Sequence, residues 1–154
     1  MSQYYQINVR GPQDNADFCQ AIETVTGVKM PQQVNHVVCH NQTRLMQLGP
    51  DEWLVVTNEP QMLEALISKQ QKLADQNITT SVVDLSSARC IIPVSMPVIH
   101  AYCPIETDWP DDQIIQTVFG HVDVILEKSN SMLINVFVLR SMQPYVAELA
   151  KRAI

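Results

Sequence analysis

The chain has 154 residues, 46% of them hydrophobic and 17% charged, with a formal net charge of −6. That is long enough to bury a core of roughly two thirds of its unfolded surface, and its apolar content excludes a disordered chain. An acidic chain with few basic clusters also argues against a general binder of nucleic acid or anionic membrane, which needs a positive footprint.

Residues 4–9 alternate as a first strand, and 15–26 follow as a helix with Phe18, Ala21, Ile22 and Val25 at helical spacing. Asp14 is the expected N-cap, Asp17 places a carboxylate where the helix dipole favours it, and Gly27 is the expected stop. Short strands are expected at 34–39, 44–48 and 53–57. Between the last two stands Gly49-Pro50-Asp51, whose proline presets φ and whose glycine accepts positive φ, as a tight reversal requires. Trp53, just inside the second arm of this hairpin, is a large ring suited to locking the strand against its cover.

A second helix should begin near Asn58-Glu59-Pro60 and end near Gln76-Asn77, with Met62, Leu63, Leu66, Ile67, Leu73 and Ala74 mostly on one face. Strands at 79–85 and 88–94 flank Ser86-Ser87, so the order to this point is βαβββαββ, close to a split βαβ layer. Residues 96–102 read as a short helix stopped by Cys103-Pro104, because the residue before proline resists helical geometry. A helical turn is expected at 111–115, then strands at 118–127 and 132–139 around Ser129-Asn130-Ser131. A last helix should be capped by Ser141, with Pro144 in its first turn and Val146, Leu149, Ala150 and Ala153 facing inward. The expected fold class is α+β, two-layer, with antiparallel sheets and helices in two ferredoxin-like βαββαβ-type rounds. With no Gly/Ser-rich linker between them, the rounds are read as one domain, 1–154.

The chemistry-bearing residues have bland readings beside the sharp ones. His36, Cys39 and His40 lie within five residues, but on a strand Cys39 would face away from the two histidines, and no second cluster completes a four-ligand zinc site. His100 and Cys103 would share a helix face and could form a nucleophile pair, although a thiol at a helix end is more often packing. Asp51-Glu52 and Asp111-Asp112 sit in expected turns, where carboxylates cap or face solvent. Glycines at 11, 27, 49 and 120 cannot make a G-x-G-x-x-G loop, so no Rossmann dinucleotide site is expected in this chain. Cys19, Cys39, Cys90 and Cys103 show no C-x-x-C spacing and read as free thiols. No apolar run approaches a membrane span, and the first residues lack the pattern of a signal peptide, so a cytoplasmic protein is expected.

Several stretches carry a family resemblance. Leu48-Gly49-Pro50-Asp51-Glu52-Trp53-Leu54, followed by Asp84-Leu85-Ser86-Ser87-Ala88-Arg89, resembles the gamma subunit of heterotetrameric sarcosine oxidase. Cys103-Pro104-Ile105-Glu106, the strand end Phe137-Val138-Leu139-Arg140-Ser141 and a closing amphipathic helix keep the same order. The resemblance implies a non-catalytic subunit that contributes contact surface to a complex with alpha, beta and delta subunits. That complex would demethylate sarcosine oxidatively and pass the one-carbon unit to tetrahydrofolate, with FAD, FMN and NAD held by the larger partners. Met30, Met46, Met96, Met132 and Met142 could supply adaptable interface surface. Asp84-Leu85-Ser86 is also similar to the Asp-Leu-Ser-His stretch of the glycine-cleavage aminomethyltransferase, with Ser87 in place of the histidine. This opens a rival reading as a stand-alone folate or one-carbon binding module, in which Asp84, Ser86 and Trp53 would line the pocket. A small enzyme using Cys103 and His100 is the third class.

Overall fold

The computed structural model describes residues 4–106, 108–130 and 132–152. The chain forms two compact units, Met1–Ser86 and Ser87–Ile154.

The first unit contains β1 (Tyr5–Arg10), α1 (Ala16–Thr26), β2 (Val37–His40), β3 (Thr43–Gly49), β4 (Glu52–Thr57), α2 (Met62–Asp75) and β5 (Ser81–Asp84). Its sheet runs β2-β3-β4-β1-β5, with every neighbouring pair antiparallel. Setting β2 aside as an added edge, the remaining six elements have the ferredoxin-like order expected from the alternation of strand and helix patterns. Both helices cover one face. Phe18 and Ile22 of α1, and Met62, Leu66 and Leu73 of α2, pack with Ile7, Val9, Leu45, Trp53 and Val55 of the sheet. Period-two strands and period-3.6 helices bring these residues onto facing surfaces.

Helix α1 starts one residue later than the cap expected at Asp14. Asn15 is the N-cap, in extended geometry, and its side chain accepts a hydrogen bond from the Phe18 amide at 2.9 Å. Asp14 and Asn15 are both good caps. The residue that wins is the one three positions before Phe18, which must turn inward. Gly27 ends the helix with φ +72, and its amide donates to the Glu23 carbonyl at 2.9 Å. The strand expected from Val34 begins only at Val37, because Asn35 takes φ +71 and breaks the extended run. In α2, Ile67 is 37% exposed and lies off the apolar stripe assigned to it.

The β3–β4 hairpin turns at Gly49-Pro50-Asp51 with a shift of register between Gln47 and Gly49. Gln47 is fully buried beside it. Its Nε2 donates to Gly49 O at 3.1 Å and to Gln13 Oε1 at 2.7 Å, tying the hairpin to the segment that enters α1. Gly11, in that segment, lies so close to the Phe18 ring that an added Cβ would come within 2.2 Å of it.

The second unit contains β6 (Arg89–Ser95), α3 (Met96–Tyr102), β7 (Ile115–Phe119), β8 (Val122–Lys128), β9 (Leu133–Leu139), a 3-10 turn (Arg140–Met142) and α4 (Gln143–Arg152). The sheet order is β6-β9-β8-β7, again antiparallel throughout. The single strand expected over 118–127 is in fact the end of β7 and most of β8. Gly120, at φ +62, reverses the chain between them. The helical turn expected at 111–115 is a turn and a single bridge leading into β7. Ser141 lies inside the 3-10 turn and does not cap α4, whose first turn does contain Pro144. Val146 is fully buried and Leu149 and Ala150 pack beside it, while Ala153 lies outside the described residues. The core here gathers Val98 and Ile99 of α3, Phe119, Val124, Leu126, Ile134, Val136 and Val138 of the sheet, and Val146 of α4. Thus both sheets are antiparallel and carry helices, the α+β class expected, but the second unit runs βαβββα: Gly120 divides one expected strand in two, and the second helix follows the last strand where a βαββαβ round places it before.

Candidate functional site

Asp84 and Ser86 do come together. Asp84 ends β5, opposite Ile7 of β1, and the ladder continues one step further through Leu85 N donating to Gln6 O at 2.8 Å. The Ser86 amide then donates to Asp84 Oδ1 at 3.0 Å, and Ser86 Oγ accepts from the Gln6 amide at 3.0 Å. A carboxylate that accepts from the backbone two residues on is an Asx turn, the local bond by which short polar side chains stop a strand. The cluster therefore satisfies the backbone of the strand end, and it leaves the exposed Asp84 carboxylate with acceptor capacity toward solvent.

Trp53 stands apart from this turn. It lies on β4, opposite Val9, with β1 between it and β5. Its ring has no exposed surface, meets Phe18 at a centroid distance of 5.6 Å and an angle of 49°, and its indole N–H donates to the Pro31 carbonyl at 3.1 Å. A buried indole whose one donor is paired with backbone is a core residue holding α1 and the 28–31 segment to the sheet.

The remaining candidates have structural surroundings. Cys103 is 5% exposed within the core of the second unit, and desolvation pushes its thiol up to about 12, away from the thiolate a nucleophile needs. His100 is exposed on α3. His36 sits just before β2 and Cys39 and His40 within it. Among the described residues no group of three or more His, Cys, Asp or Glu side chains is placed to hold a metal ion. Glu52 accepts from Asn8 Nδ2 at 2.7 Å and pairs with Arg10 at 3.2 Å, bracing β1 against the hairpin. Of the methionines, Met30 and Met46 are core residues, whereas Met132 is 71% exposed.

One polar cluster has no counterpart in the sequence reading. Lys128, at the end of β8, pairs with Asp108 Oδ1 at 2.6 Å and Asp111 Oδ1 at 3.3 Å, donates to the Trp109 carbonyl, and lies 5.2 Å from the centre of the Trp109 ring. The hydrogen bond from Lys128 is the main reason the Asp108 carboxyl is held below the usual range, and the same bond raises the ammonium. Trp109 Nε1 donates to the Gln113 carbonyl at 3.0 Å, so the segment between α3 and β7 is pinned at both ring and backbone. Lys128 and its partners lie 17–20 residues apart in the chain, beyond any local pattern.

No helix among the described residues is long and apolar enough to cross a membrane. Neither protein-family models nor characterised protein sequences gave a match to the chain. Solved structures did. A chain of heterotetrameric sarcosine oxidase from Corynebacterium sp. U-96, in complex with pyrrole 2-carboxylate, superposes with a TM-score of 0.86 at 21% identity, over 99% of this chain and 80% of that one. Glycine cleavage system aminomethyltransferase T from Bartonella henselae gives a TM-score of 0.63 at 11% identity, over 97% of this chain but only 43% of its own. The regulatory subunit of aspartate kinase from Thermus thermophilus, in ligand-free form, gives 0.50 at 12% identity. The chain therefore has the fold of the sarcosine oxidase chain to which it is similar, an aminomethyltransferase-like fold with, among the described residues, two antiparallel sheets and four α-helices.

Proposed function

We propose that the chain is a gamma-type subunit of a heterotetrameric sarcosine oxidase-like complex, contributing contact surface and no reacting group. The observation that carries this reading is the extent of the match: the likeness to a sarcosine oxidase chain spans nearly all of this chain and four fifths of that one, whereas the aminomethyltransferase chain is matched over less than half its length. The Gly49-Pro50-Asp51-Glu52-Trp53 hairpin and the Asp84-Leu85-Ser86 turn, which carry the sequence resemblance, are structural devices of the first unit. On this reading alpha, beta and delta subunits are the partners, FAD, FMN, NAD and tetrahydrofolate belong to them, and the assembly is cytoplasmic. It oxidises sarcosine to glycine and passes the one-carbon unit to tetrahydrofolate.

The rival folate module requires a ligand to reach Trp53, which has no exposed surface and no free donor, so Asp84 and Ser86 would have to bind it without the aromatic wall. To test the proposal, the host's candidate partner chains are produced with and without this chain. Complex size and sarcosine turnover should both fall when it is omitted, and the Cys103→Ser variant should restore both. Full turnover from a complex lacking the chain would overturn the proposal, as would loss of turnover in an intact complex carrying Cys103→Ser.

A further inference from the structure

We draw no further inference here: the strongest candidate, the cleft of about 430 Å³ in the second unit beside Lys128 and lined by Met96, Asp108, Asp111, Ser129 and Asn130, carries nothing because the ammonium is already engaged by Asp108, Asp111 and the Trp109 carbonyl and nothing in the structure points to a ligand for the remaining acidic rim or shows what covers it.

Discussion

Replacing Trp53 separates a core residue from a binding residue, because the two roles differ severalfold in their effect on stability. The side chain is fully buried, shares its ring contact with Phe18 and satisfies the Pro31 carbonyl. Trp53→Ala removes on the order of 200 Å² of apolar contact and leaves a cavity, and truncations of this kind cost about 3–5 kcal/mol. Trp53→Phe keeps an aromatic ring but deletes the indole donor. The Pro31 carbonyl then loses its partner in a buried place, which costs about 1–3 kcal/mol including the smaller void. Denaturant titration of the two variants should therefore give a graded fall in midpoint, with alanine roughly twice as damaging as phenylalanine. Hydrogen exchange should locate the loss in β1, β4 and α1, the elements around the ring. A solvent-facing binding residue would change stability by no more than about 0.5 kcal/mol. Midpoints within that margin for both variants would refute the placement of Trp53 in the core.

Gly120→Ala should destabilise the second unit by about 1–3 kcal/mol, seen as early exchange in β7 and β8: φ +62 strains an L side chain, and the new methyl would stand 2.6 Å from Tyr145 Oη. Asn15→Ala removes the cap on the Phe18 amide and should cost about 1 kcal/mol by thermal melting, whereas Asp14→Ala, at the position before the cap, should cost much less. The Cys103 thiol should resist alkylation at pH 8 under native conditions while the exposed Cys39 reacts, as mass spectrometry of the intact and digested chain can read. Its pKa is raised from the ordinary 9.0 to about 12 by burial. The unfolded chain therefore loses this proton first, so the thiol's contribution to stability is complete below pH 9 and declines as the pH rises from there toward 12. Rapid native labelling of Cys103, or stability flat across that range in a comparison of wild type with Cys103→Ala, would contradict the burial argument.

Much of this fold was legible because the signals were local. Residues 96–102 form the expected helix since Pro97 suits a first turn and Cys103-Pro104 cannot continue it. The Gly49-Pro50-Asp51 reversal was legible from its own residues, although Gly49 makes it without the positive φ expected there. What escaped the sequence depended on choices between near-equivalent residues or on distant partners. Asp14 and Asn15 cap equally well in isolation, and the inward turn of Phe18 decides between them. The apolar run from Val118 to Glu127 hides a reversal because only Gly120 marks it, and the close approach of Tyr145 that demands a glycine is invisible locally. The Lys128 cluster likewise joins residues whose proximity exists only after β8 has paired with β7. At the candidate site, Asp84, Leu85 and Ser86 were legible as one stretch, neighbours in the chain whatever the fold. The distance of Trp53 from it was not, because that follows from β1 inserting between β4 and β5.

The proposal that this chain works as a subunit of a larger oxidase is tested most directly by affinity capture of the tagged chain from its native host under mild conditions. Mass spectrometry and a flavin absorbance scan of the eluate supply the readout. The proposal requires recovery of two larger chains with flavin absorbance, in fixed proportion to the bait. A colourless eluate containing the chain alone, from cells that express those larger proteins, would contradict it.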